Sequence, residues 1–458
     1  MVDNHKILKD ITGQRIAAGV EAIAMALAGK SEDNSWKGVR NIVRSGMGEK
    51  AFPVGTQLVV EKETSMTASL GIHTGVTAVA VSEETFLAAE GIVGSGIHEF
   101  VFNGSAWIYN GQAVNLDDFG ITPTGTPAAD DEIIITEAYQ NVIFDVVDHR
   151  EVTDPVDGVT KPAMFLLMHN VIYSKPFDEL EALYVSTEGL AAGAYKFTVK
   201  NHPWYAADND SILYFTLTEA LPANGQIVLS GATYNATLNG KSIKTYSGPS
   251  STSAIETATI STTEIVGATD LGNTQADASW NHWNRAFFGS NNYKESAIRQ
   301  WINSKAAASG WWAGSNKFDR PSSYASTAGL LHGMDKDFLD SVRAVTIPCK
   351  TNNTFELSGW TLNAAYTVED RFFLASRNEL GWGTENVAEG SVFKMYDGAA
   401  NVDRIKYDIS AQSTARVWWL RSPYPGDARY VRSVGSDGSL SGNSANYGNG
   451  AVAACAIM

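Results

Sequence analysis

Arg416 to Met458 reads RVWWLRSPYPGDARYVRSVGSDGSLSGNSANYGNGAVAACAIM. Hydrophobic segments close it at both ends, Val417-Trp418-Trp419-Leu420 and Ala451 to Ile457. Between them, Ser422 to Asn449 holds six Ser, five Gly, three Asn and three Tyr, 17 of its 28 residues. Tyr offers large amphipathic contact area at small entropic cost, and Ser, Asn and Gly offer adaptable hydrogen bonding, as in antibody paratopes. A flexible Gly/Ser tail has a similar composition. The pattern argues against a tail. Val431, Val434 and Leu440 recur inside the polar run, with Ala428 and Ala445 as small partners. They read as buried anchors under a polar face, which a disordered segment has no reason to carry.

The run WWLRSP, the Val-x-x-x-Gly step from Val434 to Gly438 and the small-apolar closing run resemble the C-type-lectin-like variable proteins of diversity-generating retroelements. The resemblance covers about Asn281 to Met458, and the stretch from KESAIRQW to YASTAGLLHGMDKDFL resembles bacterial and prophage domains of that fold. It implies a C-type-lectin-like domain whose segment 416–458 is rewritten at template adenines. The implied contact set is Tyr424, Asp427, Arg429, Tyr430, Arg432, Ser436, Asp437, Ser439, Ser441, Asn443, Ser444, Asn446, Tyr447 and Asn449. The tyrosines would anchor and the others adapt. The implied ligand is a host cell-surface protein or glycan. The same fold includes formylglycine-generating enzymes.

Composition narrows the function classes. With 34 basic and 50 acidic residues the formal charge is −16, and no basic run occurs. Nucleic-acid and anionic-membrane binding need clustered Lys and Arg, so neither is expected. No segment is long and apolar enough to span a bilayer. No signal peptide is visible, because the apolar stretch Ile16 to Ala28 is interrupted by Glu21 and lacks a cleavage site. Release by lysis, as a component of a virion surface, is the expected route. Cys349 and Cys455 form no CxxC or Cys/His cluster, so two buried free thiols are expected rather than a zinc site.

A chain of 458 residues exceeds one ordinary core and predicts several domains. The expected class is multi-domain α+β. Residues 1–50 form a helical attachment or oligomerisation segment, with Ile16, Val20, Ile23 and Leu27 as a short heptad seam over 6–29 and a second helix from Trp36 to Gly46. Residues 51–136 form a small β-rich module, with a helix over Glu83 to Glu90 and a hairpin turning at Asn103-Gly104. Its runs NGSAW, FGITPTGTP and DEIII resemble small modules of phage tail and head-fibre proteins. Residues 137–246 form a β-sandwich or jelly roll, from short strands separated by Gly-, Pro- and Asn-rich turns. Residues 247–263 are a Ser/Thr-rich linker. Residues 264–458 form the C-terminal domain, with helices over Glu295 to Ala308 and Asp335 to Arg343 and a strand over Arg371 to Ser376. Its many tryptophans, Trp418 and Trp419 included, read as core rather than as sugar platforms, so 264–458 is expected to fold alone.

Candidate chemistry is sparse. Cys455 lies in an apolar run and Cys349 follows a proline, so neither has a setting that would ionise it. His282 and His332 read as structural. Asp130/Asp131 and Asp208/Asp210 read as turn residues, and no twelve-residue calcium loop follows them. GxSxG, HExxH, P-loop and GxGxxG do not occur in their required contexts. The expectation is a ligand-binding protein, not an enzyme, with no cofactor or metal. Its partners would be the host surface, other phage structural proteins and further copies of itself, a trimer among the options. A structural head or tail decoration protein is the alternative, followed by a formylglycine-generating-type enzyme.

Overall fold

The computed structural model describes residues 36–72, 74–82, 85–86, 96–182, 184–199, 211–227, 258–261, 264–272, 286, 288–350, 355–356, 359–360, 365–385, 388–424 and 430–458. The expected helix over 6–29, most of that over Glu83 to Glu90, His282 and the Asp208/Asp210 pair lie outside them. Among the described residues the fold is mostly β-sheet with few, short helices.

The C-terminal run supplies the strand on which the main core is built. Ala453–Ile457 is buried at every residue. It pairs antiparallel with Thr160–Met168 on one side, Ala454 opposite Leu167 and Ile457 opposite Met164. On its other side lie Phe372–Leu374 and Val342–Arg343. Small side chains suit a strand enclosed on both faces, where bulk from Phe372, Phe373 and Leu166 on the two neighbouring strands fills the space over the sheet. Helix Lys336–Ser341 packs Phe338 into this core, against Trp36 at 4.8 Å between ring centroids and Phe144 at 5.2 Å. Asp335 caps that helix by accepting from the Phe338 backbone N–H at 3.1 Å.

Helix Trp36–Ile42 buries Trp36, Val39 and Ile42 at i, i+3 spacing. It continues as a π-turn, Val43–Met47, and a short helix, Gly48–Ala51. The expected stop at Gly46 is a kink: Gly46 takes φ 78°, which only glycine adopts freely.

A long antiparallel ribbon, Gln57–Leu70 against Glu132–Thr153, belongs to two cores. Its proximal half buries Leu58, Val60, Val142 and Phe144 in the main core. Its distal half carries Ile133 and Ile135, with Met66, Ala68 and Leu70, into a smaller core around Phe86, Phe100 and Trp107. A bulge between Glu63 and Ser65 marks the changeover. The hairpin predicted at Asn103-Gly104 forms, with Phe102 opposite Trp107.

These pairings revise the expected segmentation. No boundary falls at 136/137, because strand Glu132–Thr153 runs through it. Residues 137–246 are not one sandwich: Thr160–Met168 joins the C-terminal strand in the main sheet, whereas Gly193–Val199 and Ser211–Leu217 belong to a separate four-stranded sheet with Ala258–Ser261 and Thr269–Asp270. The C-terminal domain therefore takes in chain from before the expected linker. Its two helices are also shorter than expected, Ala297–Ile302 and Lys336–Ser341.

Candidate recognition site

A five-stranded sheet carries the polar segment. Its order is Leu440–Ser444, Tyr430–Val434, Trp418–Pro423, Gly448–Gly450, Ser174–Pro176. The central strand, Trp418–Pro423, is buried throughout. Trp418 Nε1 donates to the Arg404 carbonyl at 3.1 Å and Trp419 Nε1 to the Lys175 carbonyl at 2.8 Å. Arg421 is fully enclosed and forms a two-pronged ion pair with Glu379, at 2.6 and 2.8 Å. It also donates to the carbonyls of Pro348, Leu374 and Glu389. All five guanidinium N–H groups are thereby satisfied. Ser422 Oγ accepts from the Arg377 backbone N–H at 3.0 Å. The motif WWLRSP is thus an anchor whose polar atoms bind loops to the sheet.

The hairpin beyond it pairs Tyr430 with Ser444, Arg432 with Gly442 and Val434 with Leu440. Val431, Val434 and Ala445 are fully buried, and Leu440 packs partly against the core. Its tip is held by Asp437 Oδ1, which accepts from Ser439 N–H at 3.0 Å and from Ser439 Oγ at 2.6 Å. Gly438 sits at φ 78°, and a Cβ there would stand 1.8 Å from the Asn401 carbonyl oxygen. Gly442 leaves room for the Tyr424 ring, which a Cβ would approach to 2.7 Å.

The expected contact residues fall into distinct settings. Ser436, Asp437 and Tyr447 are exposed, Tyr447 by 62%. Tyr424, Tyr430, Arg432, Ser439, Ser441, Asn443 and Asn446 are half-buried. Ser444 and Asn449 are buried, contrary to the expectation of a uniformly exposed polar face; each sits where the hairpin or its return strand packs on residues 174–178. Asp427 and Arg429 lie outside the described residues. Tyr424, Tyr430 and Arg432 come together. The two rings meet edge to face at 5.8 Å, and the Arg432 guanidinium lies 4.1 Å from the Tyr424 ring centre.

Three side chains that the sequence did not single out complete this corner. Arg432 pairs with both oxygens of Glu385, the Nε contact at 3.3 Å. Arg377 Nη1 reaches Glu385 Oε1 at 2.5 Å. Lys350 Nζ donates to the Glu385 carbonyl at 2.8 Å. Burial pulls Lys350, Arg377 and Arg432 below their ordinary pKa values, and Arg432 lowers Arg377 further by repulsion. These residues are 47 to 82 positions from Arg432 in the chain, and no local spacing announces them.

Both cysteines are free and buried. Burial pushes the Cys349 thiol up to about 12 and Cys455 well above its usual range. Neither is set up as a nucleophile or copper ligand. Among the described residues, no group of three or more His, Cys, Asp or Glu is placed to hold a metal ion, and no helix is long and apolar enough to cross a membrane.

Residues 257–457 match a family described as a domain of unknown function (DUF6273). The matched stretch contains the anchor, the hairpin, the closing strand and the Glu385 corner. No curated protein and no solved structure matches the chain.

Proposed function

We propose that this chain is a ligand-binding protein of the receptor-binding or adhesion type, a structural component of a phage or prophage particle that displays a diversified polar surface on a C-type-lectin-like fold. The observation that carries the reading is the division of labour along 416–458. The flanks are locked into the core, whereas Tyr447, Ser436 and Asp437 face solvent from backbone fixed by those flanks. A rigid backbone presents new side chains without an ordering cost, which preserves affinity when the side chains change. The ligand is a host cell-surface component. The residues before the ribbon attach the protein to the particle or to further copies.

The test is binding of the full chain to host cells after Tyr424, Tyr430 and Tyr447 are all replaced by Ala. Loss of binding with a melting temperature within a few degrees of the parent supports the reading. Wild-type binding, or unfolding, refutes it. A nearby reverse transcriptase with a near-copy of the 416–458 coding segment would establish diversification. One observation favours a second reading, a decoration protein without diversified binding: Ser444 and Asn449 are buried and hold the sheet together. Unchanged host binding but failed particle assembly on removal of the hairpin would select it.

A further inference from the structure

The corner beside the hairpin is cationic in an acidic protein. Of the four arginines in 416–458, Arg416 pairs with Asp408 and Arg429 lies outside the described residues, in a chain of net charge −16. Arg421 is closed off by its own pairing with Glu379. Arg432 remains, and it meets Lys350 and Arg377 around two carboxylates, Glu385 and Glu389, three cations against two anions. Glu385 is the focus. Both of its oxygens lie on the Arg432 fork, Arg377 Nη1 sits 2.5 Å from Oε1, and Lys350 Nζ is 3.8 Å from Oε2. Arg377 Nε, buried in the same corner, has no hydrogen-bond partner among the described residues.

The seat has the shape of a carboxylate site. Arginine offers parallel donors that match two carboxylate oxygens, and the Tyr424 ring at 4.1 Å holds the Arg432 plane in place. The carboxylate that fills it comes from a loop of different origin, bounded by Gly381, Gly383 and Gly390 in left-handed conformation. The Glu385 side chain is still 16% exposed, so solvent reaches the seat.

We infer that Glu385 is a built-in stand-in for an acidic side chain of a protein ligand, and that the ligand's Asp or Glu carboxylate takes its place on Arg432 and Arg377 during recognition. This rests on the recognition reading above and names the ligand class for it. A protein is favoured over an acidic glycan because the surrounding surface has paratope composition, Tyr with Ser, Asn and Gly. An internal competitor lowers apparent affinity by the fraction of time the seat is free, so removing its charge raises affinity.

The test uses the full chain and a labelled hexaglutamate peptide, with hexaglutamine and an oligogalacturonate as comparison probes. Glu385→Gln should bind hexaglutamate about tenfold or more tightly than wild type. The gain should vanish on adding Arg432→Gln and shrink as salt rises. Glu385→Asp, which keeps the charge but withdraws it from the fork, should give a smaller gain. The inference is overturned if neither Glu385 variant binds hexaglutamate more tightly, if oligogalacturonate is preferred, or if both variants lose cooperative melting, which would make Glu385 a structural pin. The two levels separate cleanly. If the triple-tyrosine variant loses host binding while the Glu385 variants behave as wild type, recognition stands and the acidic-ligand assignment falls.

Discussion

Arg421 illustrates how a residue in a binding-like segment can be wholly structural. Its five donors end on Glu379 and three carbonyls, and no part of it reaches solvent. Arg421→Met should destabilise the protein by about 3–5 kcal/mol, because Glu379 is left charged and buried. Urea unfolding checks this, and a loss below about 1 kcal/mol would show that the ion pair is dispensable. Asp145 gives a pH signature. Burial opposes its ionisation, but Lys406 Nζ at 3.0 Å and His169 Nδ1 at 2.8 Å outweigh it and hold its pKa at about 2. A carboxyl depressed in the fold stabilises above its unfolded pKa, near 4, and loses that contribution as pH falls through 2. The contribution is about 2 kcal/mol. Asp145→Asn should therefore flatten the stability–pH curve between pH 4 and 2, even though it lowers stability at pH 7 by leaving Lys406 unpaired.

At the scale of elements, the polar hairpin was legible in advance and the helices less so. Val431 and Val434 announced themselves as apolar positions inside a polar run, and both are fully buried. Helix Ala297–Ile302 stops short of the expected Ala308 for a reason no local pattern carries. Asn303 exchanges two hydrogen bonds with the Phe372 backbone, N–H to Oδ1 at 3.0 Å and Nδ2 to the carbonyl at 2.7 Å, and so fixes the chain's departure. The site divides the same way. Tyr424, Tyr430 and Arg432 share one stretch and could be read together, whereas Lys350, Arg377 and Glu385 reach the corner only through the fold. The hairpin tip gives a sharp test. Gly438→Ala meets both a left-handed φ and the Asn401 carbonyl, so it should cost well over 1 kcal/mol. Tyr447→Ala, at an exposed position, should stay within about 0.5 kcal/mol. Equal effects at the two sites would mean that the tip does not hold the hairpin.

At the scale of the molecule, the main core is assembled from three distant parts of the chain: residues 36–60, 142–177 and 293–458. Sequence reading placed a boundary at the Ser/Thr-rich stretch because composition marks a linker, but composition is silent about which strand the closing run will choose. Ala453–Ile457 chooses Thr160–Met168. Residues 264–458 alone should therefore lack a cooperative melting transition, contrary to the expectation from their own tryptophans. Supplying residues 36–182 in trans, which carry both missing parts of the core, should restore one. A sharp transition in the isolated fragment would show that the shared sheet is not needed.

The central claim is that the fold and the recognition surface are separable within 416–458. It is tested most directly by a library randomised at Ser436, Ser441, Asn443 and Tyr447, scored in parallel for protease resistance and for ligand preference. The account predicts that most members stay folded, with melting temperatures within several degrees of the parent, while the ligands they select diverge. A library that mostly unfolds, or whose folded members all keep the parent's ligand, would contradict it.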